Sequence, residues 1–207
     1  MTALTLNLSS LVEKINDRYL ELLSRDNPDA RFETDCHGHL ISMSPTGSET
    51  SERNSDLLIQ IGIWNKQSKL GKVFDSSGGF KLSNGAVRSP DVSWVKIDTW
   101  NSLSKKQRRK FAPIDPDFVL ELMSPTDDLD ELQNKMREYM HCGVRLGWLI
   151  NPEDRQVEIY RRRPRADERR KGTRLKEKEK EILDNPQTLL GENVMPNLIV
   201  DLSEILG

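Results

Sequence analysis

The run Phe118-Val119-Leu120-Glu121-Leu122-Met123 constrains this chain more than any other stretch. Five of its six residues are apolar, and the exception, Glu121, sits near the middle. A short continuous apolar run reads as a strand covered on both faces, or as a buried helix segment. Asp115-Pro116 before it and Ser124-Pro125 after it favour the strand, because proline breaks regular structure at both ends. An ionised carboxylate in such a place is costly unless something positive meets it. The partner of Glu121 is therefore the key to the chain.

With 207 residues, the chain has the length of one domain spanning 1–207. The expected division is a core over about 30–160, a basic loop or hairpin over 161–181, and a C-terminal extension over 182–207. The net charge is only -2 but it is uneven, since Arg161 to Glu181 carries a local balance of +6 and the remainder -8. Such asymmetry can mark a site for an anionic partner. The two cysteines, Cys36 and Cys142, have no zinc-like spacing and read as reduced thiols. No stretch approaches the ~18 apolar residues of a membrane span, and the N-terminus lacks a signal-peptide pattern. The expectation is a cytoplasmic protein with no membrane partner.

The order of elements reads helix, strands, helix, strands, helix, strands. A first helix is expected over 9–24, capped by Ser9 or Ser10, and a hairpin over 31–42 turning at His37-Gly38. A second helix over about 48–69 buries Leu57, Leu58, Ile61 and Trp64, with Gly71 at its end. Val73 to Leu82 reads as a hairpin interrupted at Ser76-Ser77-Gly78-Gly79, and Asn84-Gly85 as a turn. Asp91 to Val95 alternates like a strand after Pro90, and 96–113 is a polar excursion. Asp127 or Asp128 caps an amphipathic helix over 128–142, closed by Gly143. Strands follow over 145–150, 156–160 and 198–200. The fold class is α/β, a mixed sheet flanked by helices with an N-terminal helix and hairpin.

Three residues stand out together. Asp91 opens a strand, Glu121 lies inside the next buried strand, and Lys135 lies on the following helix. Two carboxylates from adjacent strands can converge on one hard divalent cation, and oxygen ligands suit magnesium, with manganese as a substitute. A nearby lysine can orient or deprotonate an attacking water and steady charge on a phosphate. This is equipment for phosphodiester hydrolysis. Each residue also has a plain structural reading. Asp91 can be a strand-start carboxylate, Glu121 half of a buried salt bridge, and Lys135 the i,i+4 partner of Glu131, worth about a few tenths of a kcal/mol. The histidines His37, His39 and His141 form no catalytic pattern, and Gly78-Gly79 is no phosphate loop.

Ser89-Pro90-Asp91-Val92, Val119-Leu120-Glu121-Leu122 with Ser124-Pro125, Lys135, Tyr139 with Gly143-Val144 after it, and Trp148-Leu149-Ile150 form an ordered set. Together with the early hairpin leading to Ser44-Pro45, this set resembles the Uma family of putative restriction endonucleases, within the PD-(D/E)XK nuclease superfamily. The resemblance covers about 30–160. It implies a restriction-endonuclease-like core, Asp91 and Glu121 as metal ligands joined by the backbone carbonyl of Leu122, and DNA as substrate. The superfamily lysine usually stands two residues after the acid, where this chain has Met123. The family's relocation of that lysine to the next helix selects Lys135. Some members add an acid from the earlier helix, for which Glu49 and Glu52 are candidates, although carboxylates are favoured at any helix N-terminus. The basic runs supply candidate phosphate contacts in Lys105, Lys106, Arg108 and Arg109, and in Arg161, Arg162 and Arg163, if they are more than solvated faces. A homodimer is expected, because cutting two strands favours two sites. The alternatives are a nucleic-acid-binding module without turnover, or a structural, partner-binding protein.

Overall fold

The computed structural model describes residues 3–6, 15–28, 30–43, 45–162 and 179–207. In chain order its elements are β1 (Ala3–Leu6), α1 (Asp17–Asp26), β2 (Arg31–Thr34), β3 (Leu40–Met43), α2 (Ser48–Ser68), β4 (Gly71–Asp75), β5 (Phe80–Lys81), β6 (Val87–Arg88) and β7 (Val92–Lys96). There follow α3 (Ile97–Ser102), α4 (Lys105–Arg108), β8 (Phe118–Leu122), α5 (Leu129–Cys142), β9 (Leu146–Asn151), β10 (Gln156–Arg161), β11 (Lys180–Asp184), β12 (Thr188–Leu190) and β13 (Ile199–Asp201).

The apolar run is the strand its composition demands, and all five residues of β8 are buried. It lies inside a six-stranded sheet of order β11-β10-β9-β8-β7-β4. β8 runs antiparallel to β7, with Val92 opposite Leu120, and parallel to β9. Parallel neighbours need a long crossover, and α5 is that crossover. A five-stranded sheet of order β1-β3-β2-β6-β5 stands beside it, and β12 pairs with β13 in a small third sheet.

Alternation along β8 sends its side chains to two cores. Phe118, Leu120 and Leu122 join Trp94, Trp148 and the α2 residues Leu57, Ile61 and Trp64 on one face. Val119 joins Met136, Tyr139 and Cys142 of α5 on the other. Residues 182–207, expected as an extension, supply Leu189, Met195, Leu198, Val200, Leu202, Ile205 and Leu206 to the first core.

Several local expectations are corrected. The first helix starts at Asp17, where the Asn16 side chain accepts from the Tyr19 amide; Ser9 and Ser10 lie outside the described residues. α2 ends on Lys69, which takes the left-handed conformation at φ 57°, and Gly71 instead opens β4. A Cβ at Gly71 would lie 2.3 Å from the Val95 carbonyl oxygen and 2.4 Å from the Trp94 ring, so only glycine fits. The expected hairpin over 73–82 does not form. β4 pairs with β7 and β5 with β6, so Ser76 to Gly79 carries the chain from one sheet to the other. The polar excursion over 96–113 contains α3 and α4, the latter opened by a Ser104–Gln107 capping box. Cys36 and Cys142 are not joined in a disulfide. No helix among the described residues is long and apolar enough to cross a membrane.

Candidate active site

Asp91 stands one residue ahead of β7, directly after Pro90, where the β7–β8 register brings it beside the end of β8. Its Oδ2 accepts the Leu122 amide at 2.8 Å. Glu121 points to the α5 face of the sheet, because it alternates with Leu120 and Leu122. The Asp128 cap and the buried stripe Met136, Tyr139 and Cys142 dock α5 on this face. Residues four apart on a helix share a side, so Lys135 and Tyr139 reach the same carboxylate. Tyr139 donates its hydroxyl to Glu121 Oε1 at 2.9 Å, and Lys135 Nζ lies 2.9 Å from that oxygen. The smaller sheet adds Glu33 from β2 and Arg88 from β6. Glu33 Oε1 is 3.2 Å from Lys135 Nζ and accepts the Ser89 amide at 2.8 Å. Its Oε2 is 3.0 Å from Arg88 Nη1, and Arg88 Nε is 2.7 Å from Glu138 Oε2. Glu33, Asp91 and Glu121 are 2%, 8% and 3% exposed, so this is a buried ionic network. It floors a cleft of about 590 Å³.

A family model described as "Putative restriction endonuclease", Uma2, matches residues 17–203. The chain belongs to the Uma2 family. A solved structure described as a putative nuclease belonging to DUF820 from Anabaena variabilis is similar in fold to this Uma2 protein, with a TM-score of 0.64 at 19% identity, over 84% of this chain and 89% of that one. No curated protein matches the chain.

The charges in the Uma2 cleft set one another. Burial pushes the Lys135 ammonium toward neutrality, but Glu121 and Glu33 overcome it and raise its pKa, so it stays charged. Burial also acts against ionised Glu33, yet Lys135, Arg88 and the Ser89 amide hold its carboxyl below the ordinary range. Glu121 behaves differently. Burial pushes it up to about 7, with Lys135 opposing and the charges of Asp91 and Glu33 adding to the rise. Asp91 is raised by burial against the Leu122 amide and Lys135. Tyr139 is driven well above the phenol range by burial and by Glu121, so it remains a donor.

These commitments decide which oxygens remain available. Both Glu33 oxygens are engaged by cations or amides. Glu121 receives both of its partners on Oε1, and Asp91 is bonded through Oδ2. Among the described residues, Glu121 Oε2 and Asp91 Oδ1 therefore accept no hydrogen bond. The N–H and C=O of one strand residue point the same way, so the Leu122 carbonyl lies on the strand edge that its amide turns to Asp91. No set of three or more metal-binding side chains converges among the described residues. Two carboxylate oxygens and a carbonyl, with water completing the shell, still fit a magnesium-type ion, which is commonly held by one or two carboxylates. With all groups ionised, the eight acidic and two basic residues that line the cleft carry a charge of -6, which favours a divalent cation.

The other expected residues fall elsewhere. Lys135 pairs with Glu121 and Glu33 rather than with Glu131. Glu49 and Glu52, in the first turns of α2, do not line the cleft, and Glu49 is an exposed partner of Arg53. The further buried acid is Glu33, which sequence reasoning missed. The available signal was Arg88, a cation beside Ser89-Pro90-Asp91 that needed a carboxylate once buried. Lys105 and Lys106 are exposed on α4, while Arg108 and Arg109 border a second cleft. Arg161 is 2.9 Å from Glu181 and 2.6 Å from Glu192, so its charge is already paired. Arg162 lines a third cleft with Arg137 and Lys180. Arg163 lies outside the described residues.

Proposed function

We propose that this protein is a metal-dependent endonuclease that hydrolyses phosphodiester bonds of DNA, with magnesium, or manganese in its place, held by Asp91, Glu121 and the Leu122 carbonyl. The observation that carries this reading is a pair of oxygens, Asp91 Oδ1 and Glu121 Oε2, that accept no hydrogen bond from the described residues and lie beside a buried ammonium. A divalent cation bound there supplies Lewis-acid polarisation of a phosphoryl oxygen and makes water a better nucleophile. Lys135 holds a fixed positive charge at the same place. Two carboxylates grip its ammonium, which suits it to orienting water and stabilising a phosphate in the transition state rather than to removing a proton. Tyr139 and the Leu122 amide fix the two carboxylates, so little reorganisation is needed at the moment of reaction. Water adds to phosphorus and gives up a proton to solvent, the bond to the leaving oxygen breaks and that oxygen takes up a proton from solvent, and the products are a phosphate monoester and a hydroxyl.

Incubation of supercoiled plasmid and of single-stranded DNA with magnesium or manganese tests this. The expected result is cleavage that chelator and Asp91→Ala each abolish. Absence of cleavage of every DNA form with either metal, by a chain that still binds DNA, would replace this reading with a binding module. A homodimer, bringing one cleft to each strand of a duplex, belongs to the same proposal and is tested by sedimentation.

A further inference from the structure

A second cleft, of about 530 Å³, lies beside α4. Its wall is a series of ring contacts. Phe80 meets Phe74 edge-on at 5.3 Å, Phe74 meets Trp100 at 5.0 Å, and the Arg108 guanidinium sits over Trp100 at 5.3 Å. Phe111 forms another side, lying so close to Gly79 that a Cβ there would come within 2.4 Å of its ring. Arg108, Arg109 and Lys110 border the cleft against one carboxylate, Glu21, which is 2.7 Å from Lys110. Arg109, like Lys105 and Lys106 on the adjoining exposed helix, makes no ion pair among the described residues.

The contrast with the first cleft is one of charge. That cleft is bordered by eight acidic residues and two basic ones, so it repels a phosphate backbone until a cation enters. The second cleft attracts one without help. The two share a strand pair: Phe80 on β5 is the register partner of Arg88 on β6, and the next residue, Ser89, holds Glu33 through its amide. Aromatic rings and a guanidinium plane beside free cations are what recognise an unpaired nucleobase with its phosphate. A base stacked inside a duplex cannot enter such a pocket.

We infer that the aromatic and basic cleft beside α4 receives one unpaired nucleobase of the DNA, anchoring the strand whose backbone then runs to the acidic cleft. This rests on DNA being the substrate, but not on turnover. The test is anisotropy of the full-length protein, in chelator, with a labelled duplex carrying one unpaired adenine and with the same duplex carrying an abasic residue there. Wild type should bind the first about tenfold more tightly, in line with the stacking of one base. Trp100→Leu should bring the two affinities together while leaving the abasic duplex bound as before. Arg109→Ala should weaken both duplexes alike and flatten their salt dependence. Should Trp100→Leu fail to melt cooperatively, Arg108→Ala takes its place, since it removes the guanidinium plane at the end of α4. Equal affinities in wild type, a preference that survives Trp100→Leu or the Arg108→Ala that replaces it, or no binding to either duplex overturns the inference. Metal-dependent cleavage without the preference would sink this cleft and leave the nuclease reading standing. The preference without cleavage would do the reverse.

Discussion

The Lys135 ammonium sits 3.2 Å from the Glu33 carboxylate, joining a strand of the smaller sheet to the helix that covers the larger one. Glu33 is also tied to Arg88 and to the Ser89 amide, so its task is to hold Lys135 in place. Glu33→Gln should lower the unfolding free energy by roughly 3 kcal/mol, the scale for breaking a buried ion pair. Metal-induced stabilisation should survive, because neither Glu33 oxygen is available to a metal. Urea titrations with and without magnesium check both parts.

Lys135→Met keeps the apolar stem and removes the ammonium. Cleavage should be lost. Metal-free stability should fall by about 3 kcal/mol or more, because two buried carboxylates lose their shared cation. Pairing with Glu131 alone would have cost only about a few tenths of a kcal/mol. Wild-type activity at wild-type stability would remove Lys135 from the site.

Magnesium or manganese should raise the melting temperature of the wild-type protein, since a ligand that binds only the folded state stabilises it. Asp91→Ala should abolish that rise. Differential scanning fluorimetry over a metal titration reads it directly, and equal responses from both chains would place the metal elsewhere.

In the metal-free protein, the pKa of Glu121 is raised to about 7 from the ordinary 4.5. The folded state then binds the proton more tightly than the unfolded one. The resulting stability is fully present below about 4.5 and is lost as pH rises through about 7. Asp91 shifts in the same direction and Glu33 in the opposite one, but both remain in Glu121→Gln. In chelator, wild type should therefore lose stability relative to Glu121→Gln between about pH 5 and about pH 8, by roughly 3 kcal/mol at most. A stability difference that does not change with pH would mean that Glu121 ionises normally.

β8 was legible because its signal is local: an apolar run bounded by prolines, with one carboxylate that needed explaining. Lys135 was legible for the same reason, as it borders the apolar stripe of a well-capped helix next to Tyr139. Glu33 was not, because its strand has no periodicity that marks it as buried. It becomes buried only when the smaller sheet docks, and a single sequence does not record that event. The misread hairpin over 73–82 has the same cause. Ser76-Ser77-Gly78-Gly79 announces a turn, but turn chemistry does not say which strand each arm will pair with.

The turn at Ser76 to Gly79 also has a consequence for when the site comes into being. It sends the chain out of the larger sheet before β5 and β6, and the chain returns at β7. Asp91, Glu121 and Lys135 are assembled by neighbouring strands and their crossover, whereas Glu33 must arrive from a separately formed sheet. Such distant pairings form late, after the entropy of closing the loop has been met. The contact between Glu33 and Lys135 closes a longer loop than those joining Asp91, Glu121 and Lys135, so the cleft reaches its working geometry only when both sheets have folded and met.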